Sequence, residues 1–246
     1  MRFLLASAFV ALIGLTAYVG GGELGVWDPP PEGLAAPADA DYTAETPPSE
    51  GLRSRRPQED LNERDMASAR AAVMLAPKLQ PPWREVDPTP DRGSQCKTFR
   101  PDLSAFTLTG KARSAMKTGT GSRIEFSVKI YANAGQASEV FRLTTGPREL
   151  RCLRDGVADG LRDVGLTPHV VAADLLHEPP VASETAIYAL YYVLEHPDTD
   201  VRQPYPVEVF VFRVGRAVGA AFFTFVADKA DELHQARLVA ARLRGV

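Results

Sequence analysis

Period-two alternation of apolar and polar residues is the feature that most restricts the fold of this 246-residue chain. In the stretch RIEFSVKIY, the apolar residues Ile124, Phe126, Val128 and Ile130 alternate with charged or hydroxyl-bearing ones. This pattern is typical of a β-strand that buries one face, as the strands of antiparallel sheets do. The stretch therefore predicts a half-buried strand.

Five more strands are predicted around it. A looser alternation places Phe106, Leu108 and Ala112 on one face of the preceding strand, and the glycines at 119–121 fit the hairpin between the two. The run AIYALYYVLEH is apolar on both faces, which suits a central strand covered on both sides. The others are VVAADLL and two strands, PVEVFVFRV and AVGAAFFTFV, joined by a Gly215-Arg216 turn.

Helical spacing predicts four helices. Asn62 or Asp65 can cap the first helix, Gly146-Pro147 divides a pair of helices, and the last helix runs from about Lys229 to Arg244. Runs of adjacent strands favour an antiparallel sheet over a doubly wound parallel one. We expect an α+β fold, with about six antiparallel strands and helices packed on one face.

The N-terminus predicts export. Arg2 precedes an uncharged apolar run, and residues 3–22 are about long enough to span a bilayer as a helix. A cleaved signal peptide and an uncleaved transmembrane signal anchor both fit this segment. Either one places the remainder outside the cytoplasm, membrane-anchored through residues 3–22 or secreted after cleavage.

Composition divides the rest of the chain in two. Residues 23–61 are rich in proline, alanine and acidic residues and carry few apolar side chains, which predicts a disordered linker. Residues 62–246 hold all of the predicted strands and the four helices, and we expect them to form one extracytoplasmic α+β domain. The predicted boundaries are therefore 1–22, 23–61 and 62–246.

Charge and motifs argue against several functions. The net charge of −3 gives no reason to expect a nucleic-acid partner. No nucleophile elbow, phosphate loop or metalloprotease motif is present in the sequence, so we predict no catalytic residues and no cofactor. Glu195, His196, Asp198 and Asp200 lie close together, but Pro197 among them indicates a turn before it indicates a metal site.

The two cysteines, Cys96 and Cys152, are predicted to form a disulfide. An even number of cysteines in an exported chain favours a bridge, and this one would close a long loop worth roughly 4 kcal/mol in the chain-entropy view. Two buried free thiols are the alternative. A redox-active pair is disfavoured because the cysteines are not in a Cys-x-x-Cys arrangement.

Aromatic residues supply the candidate ligand contacts. If helices cover only one face of the sheet, the other face exposes aromatic side chains, and such patches bind ligands. Trp83 fits either a lid over one edge of the core or a ligand-stacking role. The candidate ligand-binding residues are Trp83, Tyr188, Tyr192, Phe210 and Phe212.

Several stretches together resemble a known family. They are ARAAVMLAPKLQPPW, a cysteine shortly before PDLSAFTLTGKARS, the strand RIEFSVKIYANAGQA, the helical ELRCL, and FRVGRAVGAAFFTF before a terminal helix. The chain is similar over about residues 62–246 to actinobacterial secreted and lipoprotein domains that resemble the extracellular sensor domain of PknH-type kinases. The resemblance implies an antiparallel sheet flanked by helices, a structural disulfide, and a role in ligand sensing or envelope binding. The chain lacks the lipid-anchor cysteine of many such relatives, and it has no kinase domain.

Three functional hypotheses follow. The favoured one is a non-enzymatic extracytoplasmic sensor-like domain that binds a small molecule or an envelope component, with the membrane contacted through the N-terminal segment. A secreted hydrolase that acts on cell-envelope material is the second, with His196 as its first candidate residue. The third is a structural envelope protein whose aromatic face contacts a partner.

The predicted Cys96–Cys152 bridge has a direct test. Reduction of the purified protein should raise its intact mass by about two hydrogen atoms, because one disulfide takes up two on reduction. Reduction followed by alkylation should then label both thiols, while alkylation alone should label neither. An unchanged mass on reduction would contradict the prediction.

Overall fold

The computed structural model describes residues 56–73, 83–88, 99–119, 121–176, 180–195, 202–226 and 229–246. The predicted export segment, most of the linker, and Cys96, His177 and His196 lie outside these ranges. Within them, no helix is long and apolar enough to cross a membrane.

In the part of the chain that the structure describes, four helices and eight strands form an α+β fold. In chain order they are β1 (Gln58–Glu59), α1 (Glu63–Val73), β2 (Arg84–Val86), β3 (Thr107–Lys117), β4 (Arg123–Tyr131), α2 (Ala134–Leu143), α3 (Pro147–Arg162), β5 (Thr167–Leu176), β6 (Glu184–Glu195), β7 (Arg202–Val214), β8 (Ala217–Thr224) and α4 (Lys229–Arg242).

All eight strands belong to one sheet, with the order β1-β3-β4-β8-β7-β6-β5 and β2 paired to β3 beside β1. The six long strands pair antiparallel, as predicted, whereas β1 runs parallel to β3 and makes the sheet mixed. The prediction of about six strands missed β1 and β2. These strands have two and three residues, too few to show a period.

Helices cover both faces of the sheet, so the prediction of helices on one face is wrong. α1 and α4 pack on the face that carries Ile124, Phe126 and Phe210, which we call the α1/α4 face. α3 packs on the opposite side against Tyr188 and Leu190, and α2 packs on that side near Tyr131. β6 and β7 require this arrangement because both are apolar on each face.

The predicted alternation of β3 is wrong because a β-bulge interrupts the strand. The register shifts between Leu108 and Gly110, so that Leu108 lies opposite Tyr131 while Ala112 lies opposite Val128. Because Tyr131 and Val128 point to opposite faces of β4, Leu108 and Ala112 do not share a face. The strand after the hairpin behaves as predicted, with Ile124 and its three alternating partners all buried.

Local signals set the helix ends. Asn133 is the N-cap of α2, and its side chain accepts a hydrogen bond from the Gln136 backbone nitrogen. Pro147 begins α3, where its missing N–H costs nothing, and Gly146 before it has a φ of 110°. Gly215 opens the β7–β8 turn at φ 55°, in accord with the predicted glycine-first turn.

An ion pair with a buried carboxylate joins α1 to the β7–β8 turn. Asp65 of α1 accepts hydrogen bonds from Arg216 at 2.9 and 3.0 Å, and its side chain is 6% exposed. Arg216, in the β7–β8 turn, also donates to the Tyr131 carbonyl. The helix sits so close to the sheet that a Cβ on Gly110 would lie 2.5 Å from the Asp65 carbonyl oxygen.

The same pair changes the acidity of Asp65. Hydrogen bonds from Arg216, with weaker contributions from Thr109 and Asn62, lower the pKa of Asp65 to about 2, although burial acts to raise it. The folded pKa lies below the unfolded value, so this group stabilises the fold above pH 4 and the stabilisation fades as the pH falls toward 2.

Asp65→Asn tests this coupling. In urea unfolding, the deficit of the variant relative to the natural protein should shrink by about 1.5 kcal/mol from about pH 6 to about pH 2.5, because only the carboxylate titrates. Glu63→Gln removes an exposed carboxylate of the same helical turn and is the control variant. A deficit for Asp65→Asn that does not change with pH would contradict the assignment.

Candidate functional site

The predicted aromatic ligand contacts lie in the core. Tyr188, Tyr192, Phe210 and Phe212 are each 0% exposed. The two tyrosines pack under α3, while the two phenylalanines pack under α1 and α4, on the other side of the sheet. They therefore share no surface, and the idea of a common ligand-binding patch is corrected. Trp83 is half-buried against the α1/α4 core, the place expected of a lid.

The hydroxyl groups of the two tyrosines bind backbone. The Gly146 N–H donates to the Tyr188 hydroxyl at 2.8 Å, and the Tyr192 hydroxyl donates to the Arg154 carbonyl at 2.7 Å. Burial raises the pKa of both phenols. These contacts hold α3 and its N-terminal turn on the sheet, which is a structural role.

Cys152 lies buried on α3 and is disulfide-bonded. Its predicted partner, Cys96, is outside the described residues, so the Cys96–Cys152 pairing stays a prediction.

The described histidines lie at the surface. His169 and Glu195, both exposed, are 3.1 Å apart on paired strands β5 and β6. His234 is exposed on α4. In the part of the chain that the structure describes, no group of three or more histidine, cysteine or acidic residues could hold a metal ion. His196 and Asp198 fall outside that part.

A cluster of cations distinguishes one end of the sheet. The pairing of β2 with β3 and of β3 with β4 places six basic side chains on the same face, on the side away from α1 and α4. We call this the basic face. Its residues are Arg84, Lys111, Arg113, Lys117, Arg123 and Lys129.

Three of these cations stand in one row. Arg84 is directly opposite Lys117, and Lys117 is directly opposite Arg123, on three adjacent strands. Directly opposed residues on antiparallel strands have Cβ atoms only about 5 Å apart, and like charges there are destabilising. Desolvation, with repulsion from Arg84 and Arg123, lowers the pKa of Lys117. Folding therefore holds together charges that repel one another.

Two acidic residues, Glu59 and Glu125, form ion pairs with members of the basic face. Glu125, at the centre of the basic face, is 9% exposed and pairs with Arg113 and with Arg123 at 3.1 Å. Lys111 forms an ion pair at 2.6 Å with Glu59 of β1, at the edge. Arg84 is exposed, and Lys117 and Lys129 are half-exposed.

The basic face borders the apolar contacts of α2, because Val218, directly opposite Lys129, packs against the cluster under that helix. α2 packs near Leu108 and Tyr131, and α3 packs on β6 and β7. Long, partly exposed cations on a flat strand surface can bind anions through charge-assisted hydrogen bonds. They provide no nucleophile or general base for chemistry.

Two shallow grooves lie elsewhere, beside α4. They have volumes of about 380 and 410 Å³ and share Pro180, Val181 and Arg244 in their walls. Both are on the α1/α4 side of the sheet and do not meet the basic face. We assign them no role.

Comparisons with known proteins find no match: no family model matches the chain, and no significant match is found among curated proteins or solved structures.

Lys117 offers a test of the charge cluster. Lys117→Gln should preserve or raise the free energy of unfolding at low salt, because it removes repulsion from Arg84 and Arg123. The difference should shrink in high salt, which screens exposed charges. Lys111→Gln, which removes a cation paired with Glu59, is the matched control and should lower stability slightly at low salt. The same loss in both variants would contradict the proposed repulsion.

Proposed function

We propose that this protein is a non-enzymatic extracytoplasmic binding domain, and that its basic face binds an anionic polymer of the cell envelope. The observation that carries the proposal is the row Arg84, Lys117 and Arg123, which brings three cations together on adjacent strands. Like charges placed in this way cost stability, so they are expected where an anion relieves them.

The dimensions of the basic face favour a polymer over a single small anion. Lys111 and Lys117 are six residues apart on β3, which is about 20 Å along a strand. Lys129 and Arg123 repeat this spacing on the neighbouring strand. A chain with regularly spaced negative charges can contact several of these cations at once, and avidity then multiplies weak individual contacts.

Export supports the cellular setting. The apolar N-terminal segment predicts transfer out of the cytoplasm, with the protein either tethered to the membrane or secreted. The resemblance to extracellular sensor domains of PknH-type kinases agrees with a binding role. An envelope polymer is then the class of polyanion that the domain would encounter.

Long-chain inorganic polyphosphate is a defined probe for this proposal. The double variant Arg84→Gln/Lys117→Gln should bind polyphosphate about tenfold more weakly at low salt, because phosphate contacts dominate the affinity of basic surfaces for polyanions. Both residues are partly or fully exposed, so the substitutions should leave the fold intact. Titration calorimetry at several salt concentrations measures the effect, and the salt dependence should become shallower in the variant.

Arg237→Gln/Arg244→Gln is the matched control. It removes two exposed arginines from the α4 side of the domain and gives the same change in net charge. We expect it to keep nearly the natural affinity for polyphosphate. Equal weakening by the two double variants would show that binding follows net charge alone and would overturn the basic face as the binding site.

A further inference from the structure

The row of cations on the basic face leads to an aromatic pair. Arg123 is directly opposite Thr224 of β8, and Thr224 is directly opposite Val207 of β7. Directly opposed residues point to the same side of a sheet, and so do residues two apart on one strand. Tyr205, two residues before Val207, therefore lies on the side of the sheet that carries the basic face, at the end where the row is.

Phe225 is the other member of this pair, and we call Tyr205 and Phe225 the rim pair. Their ring centroids are 4.7 Å apart, in an edge-to-face arrangement at 89°. The hydroxyl of Ser122, the residue before Arg123, donates a hydrogen bond to the Phe225 carbonyl at 2.7 Å. Both aromatic residues are half-buried, so part of each stays exposed to solvent. These contacts hold the rim pair beside the cations.

The backbone of Phe225 brings its ring to Tyr205. In a regular strand, the residue after Thr224 would point to the opposite side of the sheet. Phe225 instead has a φ of 53°, a left-handed conformation that glycine adopts freely and a bulky residue adopts only with strain. Among the described residues, no other non-glycine residue has a positive φ. Strain of this kind is concentrated at functional sites, where the surrounding structure maintains it.

We propose that the anionic polymer bound by the basic face is an acidic polysaccharide, and that one of its sugar rings packs on Phe225. The inference rests on the proposed function, because it names the ligand class of the same surface. The C–H groups on one face of a sugar ring pack against the electron-rich face of an aromatic ring, and the acidic groups of the polymer form charge-assisted hydrogen bonds with arginine and lysine. A chain of bare phosphates can use only the second kind of contact.

The spacing of Phe225 and the row suits neighbouring units of such a polymer. Phe225 directly follows Thr224, and consecutive Cα atoms are about 3.8 Å apart. Thr224 is directly opposite Arg123, and the Cβ atoms of such a pair are about 5 Å apart. One stretch of polysaccharide can therefore contact the Phe225 ring and the Arg123 guanidinium together, with Lys117 one strand further along. The ring contact then adds affinity that charge alone does not provide.

Two polycarboxylates of matched length test the ligand class on the natural protein. Polygalacturonate carries a carboxylate on each sugar ring, whereas polyglutamate carries one on each residue and has no rings. Titration calorimetry of the full chain in detergent should give roughly fivefold tighter binding of polygalacturonate, because only that polymer can pack a ring on Phe225. Equal affinities, or tighter binding of polyglutamate, would overturn the proposal.

Variants of Phe225 test the contact itself. Phe225→Leu removes the aromatic face, and it should weaken polygalacturonate binding roughly fivefold while changing the affinity for polyphosphate less than about twofold. Phe225→Tyr keeps the ring and should keep the affinity for both polymers. Phe141→Leu removes another half-buried ring, from α2, and as the matched control it should change neither affinity. Equal weakening of both polymers by Phe225→Leu, or weakening of neither, would contradict the sugar contact.

The outcomes separate this inference from the function on which it rests. Polyphosphate binding that depends on Arg84 and Lys117, with equal affinities for polygalacturonate and polyglutamate, contradicts the polysaccharide and leaves the binding function standing. Polygalacturonate binding that needs Phe225 but neither Arg84 nor Lys117 supports the sugar contact and contradicts the basic face as the binding site. A protein that binds none of the three polymers contradicts both.

Discussion

The ion pair between Asp65 and Arg216 is the interaction on which the arrangement of the domain depends. It connects α1, near the start of the described chain, with the β7–β8 turn, 151 residues later. The pair lies beside Gly110, whose missing side chain lets α1 approach β3, and Arg216 also reaches the Tyr131 carbonyl. Such a pair contributes less net stability than its geometry suggests, because Asp65 loses water on burial, but loss of Arg216 would leave a buried carboxylate without its charged partner. Its position therefore specifies how the helix and the turn meet.

The covering of both sheet faces decides where a ligand can bind. β6 and β7 are apolar on each side, and helices on both sides bury Tyr188 and Tyr192 below α3 and Phe210 and Phe212 below α1 and α4. These aromatic residues therefore stabilise the core. At the other end of the sheet, β3 and β4 carry polar side chains on the side away from α1. That half of the sheet is where the chain presents charge.

Much of the fold could be read from local patterns, and the candidate site could not. Pro147 at a helix start and the alternation through Ile124 and Phe126 are local signals, and the structure confirms both of them. The bulge after Leu108 and the pairing of Arg84 with Lys117 depend on strand register, which residues far apart in the chain set together. The six cations are spread from position 84 to 129, and the net charge of −3 gives no indication of a basic cluster. Alternation in β4 does place Arg123 and Lys129 on one face, and that was the available signal.

By itself, the sequence determined the types and order of the long elements, since the periods 2 and 3.6 are properties of short segments and need no distant partner. It also determined the apolar character of residues 3–19 and the proline-rich composition of the residues that follow. Only the tertiary structure decided that helices cover both faces, that the aromatic residues are buried, and that Arg84, Lys117 and Arg123 form one row. The physical reason is that burial and charge proximity are set by which strands pair and in what register, and these are long-range choices.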